Sequence, residues 1–168
     1  MTQQKLMCYS QVNFKSKMVT EKWLTNEDLP KNVAIISICN SKDTICVDEY
    51  HMFKDAKNVL NLDFDDLAPG SGNLPEGATK MDLGNGRCAI CFSKKMAEKA
   101  VKFIEKNINC DFYIHCAAGI SRSQAFVRFI QTNYNRDWYT SKRNPCQYPN
   151  GYVVKMLNEQ KRKIDGVK

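Results

Sequence analysis

The sequence predicts an α/β fold: a single layered domain with a central, mainly parallel sheet of four to five strands flanked by helices. Continuous apolar runs at 33–39 and 111–115 are typical of strands buried on both faces. An alternating run at 59–64 predicts a further strand. Helical patterns follow these strands, and alternation of strands with helices favours a parallel sheet.

In the first part of the chain, the Met, Tyr, Val and Phe residues of 6–14 predict a strand at an edge of the sheet. Residues 19–24 predict a short helix, which the polar segment ending in Pro30 would terminate. The strand at 33–39 is expected near the centre of the sheet. Residues 51–57 predict one helical turn.

The middle of the chain contains an irregular segment. Residues 67–91 hold two prolines and five glycines with little periodicity, and such a long segment is typical of a functional or mobile insertion. Within it, Asn85-Gly86 predicts the tight turn of a small hairpin. Ser93 is expected to cap a helix from Lys94 to about Asn107.

In the last part of the chain, residues 124–134 predict a helix that follows the strand 111–115. Asn150 is expected to cap the final helix. Val153, Met156 and Leu157 would face the core from it.

Length and composition limit the class of protein. A chain of 168 residues with 43% apolar residues is expected to form one domain, 1–168, without disulfides. No run approaches the length of a membrane span, and no signal-peptide core follows Met1, so we expect a soluble, intracellular, cytoplasmic protein. Cys88-x2-Cys91 lacks a second ligand pair, so no metal and no cofactor is expected.

The net charge of +7 is unevenly distributed. Residues 77–168 hold 17 Lys and Arg against 7 Asp and Glu, whereas residues 41–76 hold 3 against 8. A basic half is typical of proteins with phosphorylated or polyanionic substrates, and it equally fits a solvated face without a partner.

The segment between the strand 111–115 and the helix from Gln124 predicts an anion site. A short loop between a strand and a helix brings backbone amides to the positive end of the helix. Cys116 begins this loop and Arg122 ends it. The amides, the helix dipole and the guanidinium all favour a thiolate at Cys116, and Gly119 allows the backbone to curl. These residues predict attack of a thiolate on phosphorus.

His115-Cys116-x5-Arg122-Ser123 resembles the signature of the cysteine-dependent phosphatases, in particular the small dual-specificity and protein tyrosine phosphatases. The resemblance implies that Cys116 is the nucleophile, that Ser123 assists its departure as a thiolate, and that His115 orders the loop. It also implies phosphate binding by the loop. The residues concerned are Ala117, Ala118, Gly119, Ile120, Ser121 and Arg122.

The resemblance also implies an aspartate that acts as general acid on a loop after an upstream strand. Asp66 holds that position, Asp65 is the alternative, and Asp82 or no acid at all is a third possibility. Asp66 lies 50 residues before Cys116, farther than in compact members of the family. We attribute the excess to the insertion 67–91.

The resemblance favours a phosphorylated protein as substrate, with phosphotyrosine and also phosphoserine or phosphothreonine as candidates. The loop contains no lysine, which argues against an inositide substrate. An RNA 5′-triphosphate is a rival substrate, because the basic half suits RNA. A phosphopeptide-binding module without catalysis is an alternative of another class. The oligomeric state is not predicted.

Overall fold

The computed structural model describes residues 4–72, 74–136, 139–140 and 148–167. It has the predicted α/β architecture. The strands are β1 (Leu6–Ser10), β2 (Val33–Cys39), β3 (Val59–Asp63), β4 (Lys80–Gly84), β5 (Arg87–Ile90), β6 (Asp111–Cys116) and β7 (Tyr139–Thr140). The helices are α1 (Gln11–Glu21), α2 (Lys94–Lys106), α3 (Arg122–Tyr134) and α4 (Gly151–Ile164), with a 3₁₀ turn at Asn26–Asp28.

The central sheet has the strand order β3-β2-β6-β1-β7, and all of its pairings are parallel. Because the strands are parallel, their carboxyl ends lie at the same edge, where the loops after β2, β3 and β6 meet. Every residue of β2 is buried, as its continuous apolar run predicts. The sheet therefore brings the Cys116 loop next to the loop that carries Asp65 and Asp66.

Two apolar layers cover the sheet. One contains the buried faces of α2, α3 and α4, and its largest side chains include Phe112, Phe126 and Phe129. The other lies beneath α1, where Phe14 and Met18 are fully buried. No helix in the described part of the chain is long and apolar enough to span a bilayer.

Several local predictions are confirmed. Ser93 accepts a hydrogen bond from the Met96 amide at the start of α2. Asn150 accepts one from the Val153 amide at the start of α4. Asn85-Gly86 turns the β4–β5 hairpin with positive φ at both residues, because a two-residue turn of this kind matches the twist of the strands. The insertion 67–91 is therefore partly ordered as a hairpin.

Three local predictions are wrong. The strand predicted over 6–14 ends at Ser10, whose side chain caps α1, and β1 pairs with β6 and β7 rather than forming an edge. The helix predicted over 19–24 instead runs from Gln11 to Glu21, because Phe14 and Met18 supply its buried stripe. Residues 51–57 form bends and turns, not a helical turn, since their backbone groups bond to neighbouring segments.

Candidate functional site

The nucleophile candidate lies at the end of β6. Cys116 is 2% exposed, and its Sγ is 3.1 Å from the hydroxyl oxygen of Ser123, on the first turn of α3. The same hydroxyl is 3.2 Å from the Sγ of Cys8 on β1. One serine hydroxyl thus contacts the sulfurs of two neighbouring parallel strands, and the β1–β6 register brings them together.

The amides and the carbonyls of the loop 117–121 differ in their hydrogen bonding. The Ala117 carbonyl accepts a hydrogen bond from the Gln11 amide at 3.0 Å, and the Gly119 carbonyl accepts one from the Gln124 side chain at 3.2 Å. Within the described residues, no amide from Ala117 to Ser121 donates to a protein acceptor. These amides, next to the positive end of α3, are available to an anion.

Ser121 precedes α3 but does not cap it with its side chain. Its hydroxyl instead donates to Oδ1 of Asp66 at 2.8 Å. The first-turn amides of α3 therefore lack the side-chain acceptor that a serine at this position often supplies. An incoming phosphate oxygen can take that place.

Arg122 is held by the chain that follows β3. One Nη1–H donates to the carbonyl of Phe64 at 2.7 Å, and the side chain is 5% exposed. The guanidinium lies 6.0 Å from the centre of the Phe64 ring. With one donor fixed on the protein, the remaining donors of the fork suit two oxygens of a phosphate.

Asp65 and Asp66 are adjacent but lie in different surroundings. Asp65 is buried, and its carboxylate accepts hydrogen bonds from Ser41, Thr44 and the Ile90 amide. It therefore joins the β2 loop to the hairpin. Asp66 is exposed and contacts the Cys116 loop through Ser121. Asp82 lies in the hairpin and accepts from the Gly84 amide.

Asn150 connects three parts of the site, and sequence reasoning predicted it only as a helix cap. Its Nδ2 donates to Oδ1 of Asp66 at 2.8 Å and to the Leu67 carbonyl at 3.2 Å. Its backbone amide donates to the Ser121 carbonyl at 3.2 Å. The acid loop, the Cys116 loop and α4 are thus held together by one residue. The capping pattern places Asn150 at a helix end but does not reveal these partners.

His115 is fully buried beneath the loop. Burial lowers its pKa from the ordinary value to about 3, with smaller contributions from the positive charges around it. Its ring stacks on Phe14 at 4.1 Å, and its Nε2 lies 2.7 Å from the Ser37 hydroxyl. The ring is therefore neutral at ordinary pH and is held by contacts on two sides.

A cluster of three potential metal ligands lies nearby. Cys39, His51 and Asp63 place one ligand atom each within 4.8 Å of one another. Both ring nitrogens of His51 are already hydrogen-bonded, to Ser37 and to Asp63. Burial raises the pKa of Cys39 to about 12, so its thiol keeps its proton. The contacts fit a hydrogen-bonded network better than a metal site.

The hairpin of the insertion forms one wall of a cavity of about 600 Å³ at the same edge of the sheet. The opposite wall is the loop after β2. The hairpin wall carries Lys80, and the wall formed by the loop after β2 carries Lys42. Asp65 connects the two walls, because its carboxylate accepts hydrogen bonds from the Ser41 amide in the loop after β2 and from the Ile90 amide in the hairpin. The insertion thus shapes the surface beside the loop after β2.

Replacing Gly119 by alanine is expected to disrupt the loop. Its φ is +69°, and an added Cβ would lie 2.6–2.8 Å from backbone atoms of Tyr9 and Ser10. Left-handed strain combined with this clash should lower the free energy of unfolding by about 3 kcal/mol. Equilibrium unfolding in urea measures this change in the free energy of unfolding.

Gly77→Ala is the matched control for this variant. Gly77 has φ +80° with open space around it, so it incurs the backbone strain alone, about 1 kcal/mol. Equal losses of stability in the two variants would contradict the close approach of β1 to the loop.

No protein-family model and no curated protein matches this chain. Among solved structures, the chain is similar to the human tyrosine phosphatase-like serine/threonine/tyrosine-interacting protein. The TM-score is 0.42 at 21% sequence identity, and the alignment covers 86% of this chain and 89% of that chain. A likeness at this level adds no argument about activity, so the site is interpreted from its own geometry.

Proposed function

We propose that the protein is a cysteine-dependent phosphatase that hydrolyses phosphate monoesters of proteins through a phosphocysteine. The observation that carries this proposal is the loop 117–121 between Cys116 and Arg122: among the described residues its amides donate to no protein acceptor, while the carbonyls of Ala117 and Gly119 do bond to the protein. A buried sulfur, a fixed guanidinium and free amides together make a site for a dianionic phosphoryl group.

In the proposed first step, the Cys116 thiolate attacks phosphorus and the bond to the leaving oxygen breaks. Asp66 gives its proton to that oxygen. Arg122 and the loop amides hold the three equatorial oxygens, which carry the charge of the transition state. The product is a thiophosphate ester on Cys116.

In the proposed second step, water attacks the phosphocysteine and Asp66 accepts its proton. Inorganic phosphate forms, and Cys116 leaves as a thiolate. The Ser123 hydroxyl, 3.1 Å from Sγ, donates a hydrogen bond to the departing sulfur. Ser123 should therefore affect this step more than the first.

The choice of Asp66 over Asp65 rests on their surroundings. The Asp65 carboxylate is buried, and donors from Ser41, Thr44 and the Ile90 amide hold it away from a substrate. Asp66 is exposed and bonded to the Cys116 loop through Ser121. The hydrogen bonds from Ser121 and Asn150 both go to its Oδ1, and Oδ2 has no partner among the described residues, so Oδ2 is the oxygen proposed to give the proton to the leaving group.

Asp66→Asn is expected to lower kcat for an aryl phosphate with a poor leaving group by about 10²- to 10⁴-fold, because an amide has no proton to give. The loss should shrink for para-nitrophenyl phosphate, whose leaving group needs little protonation. Steady-state kinetics over a series of aryl phosphates checks this. Wild-type rates on the poor leaving group would reject Asp66 as the acid.

The substrate class is tested by competition. The kcat/KM values for phosphotyrosine and phosphothreonine peptides are compared with that for 5′-triphosphorylated RNA. We expect the peptides to be preferred, and a preference for RNA would assign the site to the RNA reaction. Binding of phosphopeptide without metal-independent turnover of any substrate would indicate a binding module.

A further inference from the structure

The register of three strands assembles a line of polar side chains beneath the Cys116 loop. Ser37 on β2 lies beside His115 on β6, and Cys39 on β2 lies beside Asp63 on β3. Residues 37 and 39 share a face because side chains alternate along a strand. His51, from the loop between β2 and β3, contacts all but His115 of this group.

The line is continuous from the buried histidine to the protein surface. His115 Nε2 is 2.7 Å from the Ser37 hydroxyl oxygen, which is 2.7 Å from His51 Nδ1. His51 Nε2 is 2.8 Å from Oδ1 of Asp63. The Asp63 side chain is 58% exposed, so the outer end of the line contacts solvent.

The donors and acceptors in this line can be assigned from its outer end. A carboxylate only accepts hydrogen bonds, so Nε2 of His51 must carry a hydrogen for Asp63. In neutral His51 the other nitrogen, Nδ1, is then bare and accepts the single hydrogen of Ser37. The Cys39 thiol, 3.5 Å away, is a weaker donor to the same nitrogen.

Ser37 therefore has no hydrogen left for His115. The contact at 2.7 Å requires that His115 donate from Nε2, which leaves its Nδ1 bare. That nitrogen is buried and has no hydrogen-bonding partner among the described residues. Nothing at Nδ1 itself selects the tautomer, so the selection comes through Ser37.

We propose that His51, bonded to Asp63, is a positioning residue that acts through Ser37 to fix the Nε2–H tautomer of His115, the neighbour of Cys116. The tautomer is a property of this hydrogen-bonded line alone. Its effect on catalysis rests on the proposed phosphatase function. The tautomer of His115 and its effect on catalysis can therefore be measured separately.

Protonation of His51 should change the arrangement. A second hydrogen on Nδ1 would donate to Ser37, whose own hydrogen then turns towards Nε2 of His115 and favours the Nδ1–H tautomer. One proton enters at His51, and the hydrogen of His115 changes nitrogen. His115 itself stays neutral, because burial holds its pKa near 3. The other titratable or charged groups around the two rings are Lys15, Cys39, Glu49, Asp63 and Arg122.

The experiment uses the whole chain labelled with nitrogen-15 in its histidines. His51 and His115 are the two histidines of the sequence, so two rings give signals, and His51→Gln assigns them. Ring nitrogen shifts distinguish an N–H from a bare nitrogen. We expect His115 to be N–H at Nε2 while the shifts of His51 show a neutral ring, and the shifts of both rings to change together as acid is added. An Nδ1–H tautomer beside a neutral His51, or shifts of His115 that do not follow those of His51, would overturn the proposal.

Two variants test the connection. Asp63→Ala removes the acceptor at the exposed end without disturbing the core, and we expect both rings to lose their single tautomer. Ser37→Ala should uncouple His115 from the titration of His51. Glu98→Ala is the control, because Glu98 is an exposed carboxylate on α2 paired with Lys102. A fixed His115 tautomer in Asp63→Ala would contradict the role of His51.

The catalytic part is tested on para-nitrophenyl phosphate. We expect Asp63→Ala to lower kcat/KM and to change its pH profile, while Glu98→Ala matches wild type. A lost tautomer with an unchanged profile would reject the positioning role. Absence of turnover in the wild type would reject the proposed function, yet leave the tautomer assignment to its own measurement.

Discussion

Cys116→Ser should eliminate the metal-independent hydrolysis of para-nitrophenyl phosphate, with a fall in kcat on the order of 10⁴- to 10⁶-fold. A serine hydroxyl in this site is expected to keep its proton, because among the described residues no basic side chain is hydrogen-bonded at the Cys116 sulfur. The Ser123 oxygen is the near neighbour, and it is itself a hydroxyl. The measurement is initial rate in the presence of a chelator, with the phosphoenzyme trapped by rapid acid quench in the wild type.

Cys46→Ser is the matched control, because Cys46 is an exposed thiol in the loop after β2. It should leave both the rate and the trapped phosphoenzyme unchanged. Cys116→Ser should still bind vanadate or phosphate, since the amides and Arg122 remain. Turnover within tenfold of wild type in Cys116→Ser would remove the basis of the mechanism.

Arg122→Lys should lower kcat/KM on the order of 10²- to 10³-fold while the fold is retained. Lysine keeps the positive charge but loses the planar fork. It cannot donate to the Phe64 carbonyl and also bind two phosphate oxygens, as we propose for the guanidinium. The fall in kcat/KM therefore reports the contribution of the guanidinium geometry separately from that of the positive charge. Kinetics and the Kd for vanadate measure it.

Arg128→Lys provides the control on the same helix, since Arg128 is exposed on α3. It should bind vanadate as the wild type does. A similar loss in both variants would point to general electrostatic attraction by the basic half of the chain. Such a result would contradict a specific role for the Arg122 fork.

The strand, loop and helix around Cys116 were predictable because their determinants are local. The residues from Asp111 to Tyr134 are contiguous, and a buried strand followed by a glycine-containing loop and a helix specifies its own geometry. The Asn85-Gly86 turn is of the same kind. In both cases the residues that determine the local backbone conformation lie within or next to the segment that adopts it.

The surroundings of the site were less predictable, because they depend on pairings between distant segments. Nothing near Asp65 indicates that Ser41 and Ile90 bond to it, and those contacts separate it from Asp66. Asn150 reaches Asp66 across 84 positions of sequence. The sequence wrongly predicts β1 as an edge strand for the same reason, since its neighbours in the sheet, β6 and β7, lie more than 100 positions later in the sequence.

The placement of β1 also bears on how the molecule is made. β1 pairs with β6 and β7, more than 100 positions later, so it has no partner in this sheet until β6 has been synthesised. Long-range parallel pairing of this kind slows folding, since closing a long loop precedes any gain from contact. The Cys116 loop approaches the backbone of Tyr9 and Ser10, so it cannot take its final form before β1 has paired with β6. The candidate site is therefore expected to form only after β1 and β6 have paired.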